Sequence, residues 1–283
     1  TEEFSNFSEP SSFQNDGQVF YNDTEFKFKV TSSTTTPSWA SGSNYPANIQ
    51  RQAGFGTQTA TVNASGYEGT AYSTNTKEYD GTAWTAANAS PAALESPGGG
   101  GVLTAGFICG GESPAPAKVT TTAEYDGTNW TAGGALSVGR SSFMVAGTLT
   151  AGLAAGGSPG SSPFFGTSTE EYDGSSWTSG GALPTAIRSN RGLGTQTAGL
   201  NLAGEAAPGK RNATDHYDGS SWTSGGTLAA PASNMDGEGA QTAALATGGS
   251  PTTTTCQLYD GTSWSPTASM ANARTLHATT GGN

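Results

Sequence analysis

The sequence predicts an all-β fold: a single β-propeller of six four-stranded antiparallel blades. Three observations carry this prediction. Tryptophans recur every 42 to 47 residues, and most of them are the last residue of a fixed six-residue phrase. An apolar run ending in glycine lies upstream of each phrase. A repeat of roughly 45 residues with four short strands has the size of one propeller blade. The tryptophans are Trp39, Trp84, Trp130, Trp177, Trp222 and Trp264.

The six-residue phrase is Tyr-Asp-Gly-x-x-Trp, and it first occurs at residues 79–84. Asp-Gly is a strong hairpin signal, because glycine accepts the positive φ that a tight reversal needs. With this turn, Tyr and Trp become cross-strand neighbours on one face of the sheet. Burying ~200 Å² of Trp contributes on the order of 5 kcal/mol, so the pair is the main apolar contribution of each repeat.

Two further elements complete the repeat. Small apolar runs enter glycines at residues 107–111, 153–157 and 245–249, and a Gly-Thr-Gln-Thr-Ala turn stands upstream at residues 56–60, with a second copy at 194–198. Each unit therefore has a strand A ending at this turn, B ending at the glycines, C ending in Tyr and D starting at Trp.

Complete units account for blades 1 to 5, from about residue 46 to 273. A sixth blade is predicted from both ends of the sequence. Residues 17–45 supply strands B, C and D, with an aromatic hairpin over 18–30, and residues 274–283 supply strand A. Residues 1–16, with Phe4, Phe7 and Phe13 in an acidic setting, are predicted to be an arm. A truncated piece of a longer repeat array is the alternative.

The order Gly-Gly, Tyr, Trp and then Arg resembles the kelch repeat, over residues 39–283. The arginines are Arg51, Arg140, Arg188 and Arg274. The Tyr-Asp-Gly-x-x-Trp phrase with its Gly-Thr-Gln-Thr-Ala turns is also similar to kelch-type arrays in structural and tail-fibre proteins of marine bacteriophages. This resemblance implies a virion component.

Charge and composition exclude several classes of partner. The net charge is −11 and no basic stripe offsets it, so we expect no nucleic-acid partner. No apolar run reaches the ~20 residues of a membrane helix, so no membrane insertion is expected. Cys109 and Cys256 fall at different repeat phases and are predicted to be buried thiols rather than a disulfide.

We predict no catalytic residue, no metal site and no cofactor. The two histidines, His216 and His277, lie in different repeats, which disfavours a kelch-type copper oxidase, and His216 is expected to be a surface strand residue. A sialidase would need its arginines for a sugar carboxylate, whereas these arginines recur at one repeat phase and are predicted to be structural. The turn aspartates are predicted to cap turns rather than bind Ca²⁺. They are Asp80, Asp126, Asp173, Asp218 and Asp260.

The expected function is a non-enzymatic structural or adhesive virion component, in a phage tail, fibre or capsid, present in multiple copies. Its expected partners are other virion proteins, through residues 1–16, and a host-surface glycan or protein. Variable loops at residues 112–122, 158–169 and 205–214 are the expected recognition elements, with no binding residue singled out. The alternative is a secreted, lectin-like carbohydrate-binding propeller, with a kelch-type oxidase or sialidase behind it.

Overall fold

The computed structural model describes residues 19–22, 27–30, 39 and 41–277. The chain divides into two compact units, residues 1–38 and 39–283. In the first unit, β1 (Val19–Asn22) and β2 (Lys27–Val30) pair antiparallel, with Val19 opposite Val30. The hairpin predicted over 18–30 is therefore confirmed in its described strands. The arm predicted over 1–16 lies outside the described residues.

The second unit contains five blades, each an antiparallel meander of four strands in chain order from the innermost to the outermost. Blade 4 has one additional short strand, β17, which pairs with β18. The strands of blade 1 are β3 (Ala53–Thr57), β4 (Ala60–Ala64), β5 (Thr76–Tyr79) and β6 (Trp84–Ala87); of blade 2, β7 (Gly98–Val102), β8 (Ala105–Cys109), β9 (Thr122–Tyr125) and β10 (Trp130–Gly133); of blade 3, β11 (Met144–Thr148), β12 (Ala151–Ala155), β13 (Thr169–Tyr172) and β14 (Trp177–Ser179); of blade 4, β15 (Arg191–Thr195), β16 (Ala198–Leu202), β17 (Glu205–Ala206), β18 (Gly209–Tyr217) and β19 (Trp222–Ala232); of blade 5, β20 (Asp236–Ala240), β21 (Ala243–Thr247), β22 (Cys256–Tyr259) and β23 (Trp264–Pro266).

The β-propeller with four-stranded antiparallel blades is confirmed, but the prediction of six blades is wrong: the described residues form five. The sixth was assigned to residues 17–45 and 274–283. Of these, the described parts form the β1–β2 hairpin and no strand over 41–45 or 274–277. The physical reason is visible in the sequence, since no Tyr-Asp-Gly-x-x phrase precedes Trp39 to build the hairpin that joins strands C and D.

The phrase builds the outer hairpin of every blade as predicted. Tyr79 lies opposite Trp84 in the register of β5 and β6, and the same pairing recurs in the other four blades. The two ring centroids are 4.6–4.9 Å apart in all five pairs. Gly81 turns the chain with φ at +94°, a conformation that L side chains rarely adopt.

The hydrophobic core is divided into clusters that lie between neighbouring blades. One cluster joins Phe55 and Val62 of blade 1 to Ile108 and Tyr125 of blade 2, and three similar clusters follow around the propeller. A Cβ on Gly106 would collide with the ring of Phe55, so glycine at this position makes room for the large side chain of the preceding blade. Gly152 faces Phe107 and Gly199 faces Leu153 in the same way at the next two joints.

A chain of backbone hydrogen bonds steps from blade to blade. The N–H of Ser96 donates to the carbonyl of Arg51 at 2.9 Å, and the last bond in the chain runs from Leu276 N–H to the Asn234 carbonyl at 3.3 Å. All six members have φ between +51° and +57°. They are Arg51, Ser96, Ser142, Ser189, Asn234 and Leu276. The first five members each precede the innermost strand of a blade, and Leu276, the sixth member, follows blade 5.

Candidate functional site

The meander places two kinds of connection at opposite ends of each blade. The turns after strands A and C lie at one end, and the B–C loops and D–A connections lie at the other, which we call the loop end. Turns of the first kind are nearly identical in all blades, whereas the B–C loops differ in length and composition. The loop end is therefore the surface on which recognition is expected. Its B–C loops are residues 65–75, 110–121, 156–168, 203–208 and 248–255.

The inner rim of the loop end is built from paired residues, one pair in each blade, that form isolated β-bridges. Each pair contains the residue just before a member of the hydrogen-bond chain, so the pairs surround the same axis. In blades 2 to 5, charged pairs and serine pairs alternate around this rim, whereas blade 1 contributes Gln50 and Tyr67. The pairs are Gln50–Tyr67, Glu95–Glu112, Ser141–Ser158, Arg188–Glu205 and Ser233–Ser250.

The charged groups of the rim are paired with one another. Arg51 forms an ion pair with Glu95, and Lys118 forms one with Glu112. Arg188 Nε lies 3.0 Å from Glu205 Oε2. Each of these three cations faces a carboxylate of the same chain, whereas Lys210 donates to the hydroxyl of the rim residue Ser250 at 2.8 Å.

Aromatic side chains lie beside these ion pairs. Tyr67 and Tyr72 meet edge to face with centroids 5.6 Å apart, and burial together with a hydrogen bond to Glu95 raises the pKa of Tyr72 to about 12. Phe165 stacks under the guanidinium of Arg188 at 5.0 Å, while the adjacent Phe164 is 51% exposed. Phe164 is thus an aromatic side chain available for contact at the loop end.

The innermost strands line an axial cavity of about 180 Å³. Most of its wall is glycine and backbone from all five blades, and its charged groups are Arg191 and Glu238. Arg191 is already engaged, since its Nε lies 2.6 Å from Oδ1 of the buried Asp236. The cavity is narrow and its charges belong to blades 4 and 5, which suits ordered water or a small polar ligand better than a large one.

The structure confirms a structural role for Arg140 and corrects the common phase of the four arginines. Arg140 is buried against Glu170, and its guanidinium donates to the Ser168 carbonyl at 2.8 Å. Arg140 and Arg274 share one repeat position, because the carbonyl of each accepts a glycine N–H from the preceding B–C loop. Arg51 and Arg188 stand at two other positions, so the prediction of a single phase is wrong for them.

The histidines are not brought together as a metal site. His216 is half-buried between blades, with Nε2 2.8 Å from the hydroxyl of Tyr259, and burial lowers its pKa. His277 lies 2.9 Å from the hydroxyl of Thr247. His216 is thus a partly exposed strand residue as predicted, and its contact with Tyr259 at the joint between blades 4 and 5 was not predicted. In the part of the chain that the structure describes, no three His, Cys, Asp or Glu side chains are grouped to hold a metal ion.

The aspartates of the phrase have the turn role that was predicted. Asp173 Oδ1 accepts the N–H groups of Ser175 at 2.8 Å and of Ser176 at 2.7 Å. These bonds hold the pKa of the carboxyl at about 2. The corresponding aspartates of the other four blades make the same pair of backbone contacts.

The two cysteines are free and buried, as the sequence predicts. Among the described residues, no helix is long and apolar enough to cross a membrane.

One set of functional contacts was missed from the sequence: the joints between blades. In blades 2 to 5, the hydroxyl of the phrase Tyr reaches back to the residue before Tyr in the preceding blade. Tyr125 donates to Glu78 and Tyr217 donates to Glu171, each at 2.5 Å. Tyr172 donates likewise to Glu124. Part of the signal is present in the sequence, because Glu directly precedes Tyr in three of the five phrases. The tyrosine that bonds each of these glutamates, however, lies 46 to 48 residues further along the chain.

Comparison with known proteins supports the fold and goes no further. The solved structure of YjhT superposes with a TM-score of 0.69 at 13% sequence identity, covering 84% of this chain and 89% of that one. At this identity the likeness shows the fold alone. No protein-family model matches the chain. No curated protein matches it either.

Proposed function

We propose that this protein is a non-enzymatic binding component whose propeller presents the loop end to a protein or glycan partner. One observation carries the proposal: the groups that recur in the repeat are used within the scaffold. The phrase tyrosines bond the preceding blade, the aspartates close turns, and Arg140 is buried with Glu170. What varies between blades, and is therefore free to define a partner, is the set of B–C loops.

We further propose that this binding component belongs to a virus particle, a proposal supported by the resemblance of the repeat phrase to kelch-type arrays in phage structural proteins. The proposed partners are other virion proteins, through residues 1–16, and a surface molecule of the host, with multiple copies in each particle. The acidic net charge of −11 suits a protein that works beside other proteins rather than on nucleic acid. Electron microscopy of native particles labelled with antibody against the propeller tests this placement, and labelling of secreted material free of particles would reject it.

A carbohydrate-binding propeller is the second candidate, and the exposed Phe164 favours it. Aromatic rings that are open to solvent stack on the apolar faces of sugars, and the rim beside Phe164 supplies hydroxyl, carboxylate and guanidinium groups. A printed glycan array identifies ligands directly. For any glycan bound at the loop end, we expect Phe164→Ser to weaken binding at least tenfold.

A matched control is available at the other end of the blades. Val102 is 46% exposed, close to the exposure of Phe164, but lies at the end of β7 beside the A–B turn. Val102→Ser should leave glycan binding unchanged. Equal losses in both variants would contradict binding at the loop end, and an array with no ligand would leave the protein-binding proposal in place and remove the glycan one.

Enzymatic alternatives make different demands on the same residues. A copper radical oxidase needs two histidines at one metal, whereas His216 is bonded to Tyr259 and His277 to Thr247. A sialidase needs free arginines for its substrate, whereas Arg51, Arg140 and Arg188 each face a carboxylate. Stoichiometric copper in the purified protein, or release of sialic acid from a fluorogenic sialoside, would overturn the non-enzymatic proposal.

A further inference from the structure

A row of cations crosses the loop end of blades 4 and 5. It begins at Arg188, which pairs with Glu205 in an isolated β-bridge. Glu205 in turn lies opposite Lys210 in the register of β17 and β18. Because neighbouring strands lie about 4.8 Å apart, the backbones of Arg188 and Lys210 stand roughly 10 Å from each other. This part of the row therefore has one carboxylate between two cations.

The row continues into blade 5. Lys210 Nζ donates to the hydroxyl of Ser250 at 2.8 Å and so reaches across the joint between the two blades. Gly249, the residue before Ser250, donates its N–H to the carbonyl of Arg274 at 2.9 Å. The side chain of Arg274 is exposed. We call this surface the basic row; it consists of Arg188, Glu205, Lys210, Ser250 and Arg274.

The basic row carries positive charge on an acidic chain, whose net charge is −11. Its three cations, Arg188, Lys210 and Arg274, stand beside a single carboxylate, that of Glu205. Blades 1 and 2 have the opposite balance at the loop end, since the ion pairs of Arg51 and Lys118 share it with the exposed Glu68. Salt screens exposed charges beyond about 8 Å at physiological ionic strength, so an acidic group held at the row is attracted by the row more than it is repelled by the rest of the chain.

An aromatic surface adjoins the basic row at Arg188. The ring of Phe165 lies under the Arg188 guanidinium at 5.0 Å, and the neighbouring Phe164 is 51% exposed. This combination fits a sugar that carries an acidic group, because an open ring stacks on the apolar face of the sugar while cations bind the acid. An acidic protein segment would engage the cations without needing Phe164. The aromatic side chain therefore favours a glycan over a protein as the occupant.

We propose that the basic row and Phe164 bind a glycan that carries carboxylate groups. This inference rests on the glycan binding proposed above, and it adds the class of sugar and the part of the loop end that holds it. The separation of Arg188 and Lys210 allows two acidic groups of one oligosaccharide to bind together. An oligosaccharide with several carboxylates therefore binds more tightly than a single acidic sugar.

The first experiment measures binding of the whole chain to a printed array of uronate oligosaccharides, their carboxyl-reduced neutral forms, sulfated oligosaccharides and poly-glutamate. We expect the uronate oligosaccharides to bind and their reduced forms to bind much more weakly. Equal binding of the reduced forms, or binding of sulfated sugars alone, would overturn the carboxylate class and leave glycan binding in place. Binding of poly-glutamate alone would replace the glycan by an acidic protein, and an array on which nothing binds would remove this inference together with the glycan function.

Substitutions in the whole chain then locate the site, using the uronate oligosaccharide that binds best. Lys210→Gln and Arg274→Gln should each weaken its binding by roughly fivefold or more, because each removes one charge contact. Glu205→Gln should strengthen binding severalfold, a gain that misfolding cannot produce. Lys77→Gln is the matched control, since it removes one positive charge from β5 of blade 1 and should leave the affinity unchanged. Equal losses in Lys77→Gln and Lys210→Gln, or a Glu205→Gln variant that binds no better than the unsubstituted chain, would reject the basic row as the site.

Discussion

Replacing Arg140 by Met should destabilise the propeller by about 3–5 kcal/mol, because it leaves the Glu170 carboxylate buried without its cation. The side chains of Arg140 and Glu170 are only 3% and 2% exposed. Arg140 also donates to the Ser168 and Gly156 carbonyls at 2.8 and 3.3 Å, and both acceptors lose their partner in the variant. After the change, Glu170 keeps one bond, from the Ser137 N–H at 2.7 Å.

The assay is urea unfolding at pH 7, with tryptophan fluorescence as the readout. With a slope of ~3 kcal/mol per molar urea, a loss of this size lowers the midpoint by roughly 1–1.7 M. The double variant Arg140→Met, Glu170→Leu removes both charges, so it should recover a large part of the loss. The control is Arg188→Met, since Arg188 and Glu205 are 36% and 33% exposed and such pairs contribute about 1 kcal/mol or less.

Two results would refute this reasoning. A loss below 1 kcal/mol for Arg140→Met would mean that the carboxylate is solvated or protonated without its partner. A double variant whose loss equals the sum of the single losses would mean that the two charges do not depend on each other. Either outcome would reopen Arg140 as a residue available to a ligand rather than to the scaffold.

Burial lowers the pKa of His216, so the folded state disfavours its protonation, and stability should fall as the pH drops below about 6.5. In urea titrations at several pH values, His216→Gln should reduce the dependence of stability on pH, and an unchanged dependence would exclude His216 as its source. Burial also raises the pKa of Tyr172 to about 12, so its contribution to the free energy of unfolding is complete below about pH 10 and is lost as the pH rises towards 12. Followed by circular dichroism, Tyr172→Phe should lose less structure at alkaline pH than the unsubstituted chain. A Cβ on Gly98 would collide with Val145, so Gly98→Ala should lower the free energy of unfolding by about 1–3 kcal/mol. Gly209 has no atom within 4 Å of the added Cβ, so Gly209→Ala should change it by no more than about 0.5 kcal/mol, and equal shifts of the melting temperature would contradict the packing argument.

The repeat made the blade predictable at the level of single residues. A turn at Asp-Gly and a Tyr opposite a Trp follow from local rules, so the register of Tyr79 and Trp84 could be derived without knowing the rest of the fold. The same reasoning placed Asp173 correctly as a turn residue. Local chemistry that repeats five times leaves little freedom for a different blade.

What escaped prediction depends on contacts between blades. The contact of His216 with Tyr259 could not be predicted from its own strand, because both faces of a propeller strand are covered by neighbouring blades and the alternation of polar and apolar residues is weak. The blade count failed for a related reason. The spacing of the tryptophans led us to count Trp39 as the mark of a blade, but the Tyr-Asp-Gly-x-x phrase that precedes the other five tryptophans is missing from the sequence before it.

The loop end shows the same limit. Sequence variation indicated that the B–C loops carry recognition, and nothing in the sequence showed that Phe164 is open to solvent while Phe165 lies under Arg188. Adjacent residues of the same type differ in exposure only because of a guanidinium 23 positions further along the chain.

The tyrosine bonds of blades 2 to 5 run in one direction, because each hydroxyl reaches the residue before the tyrosine of the preceding blade. Those acceptors are Glu78, Glu124, Glu171 and His216. Blade 5 has the aliphatic Leu258 at this position, so it could not take the place of an earlier blade without losing the bond to the next tyrosine. The five blades look alike, yet this single position fixes the order in which they can follow one another.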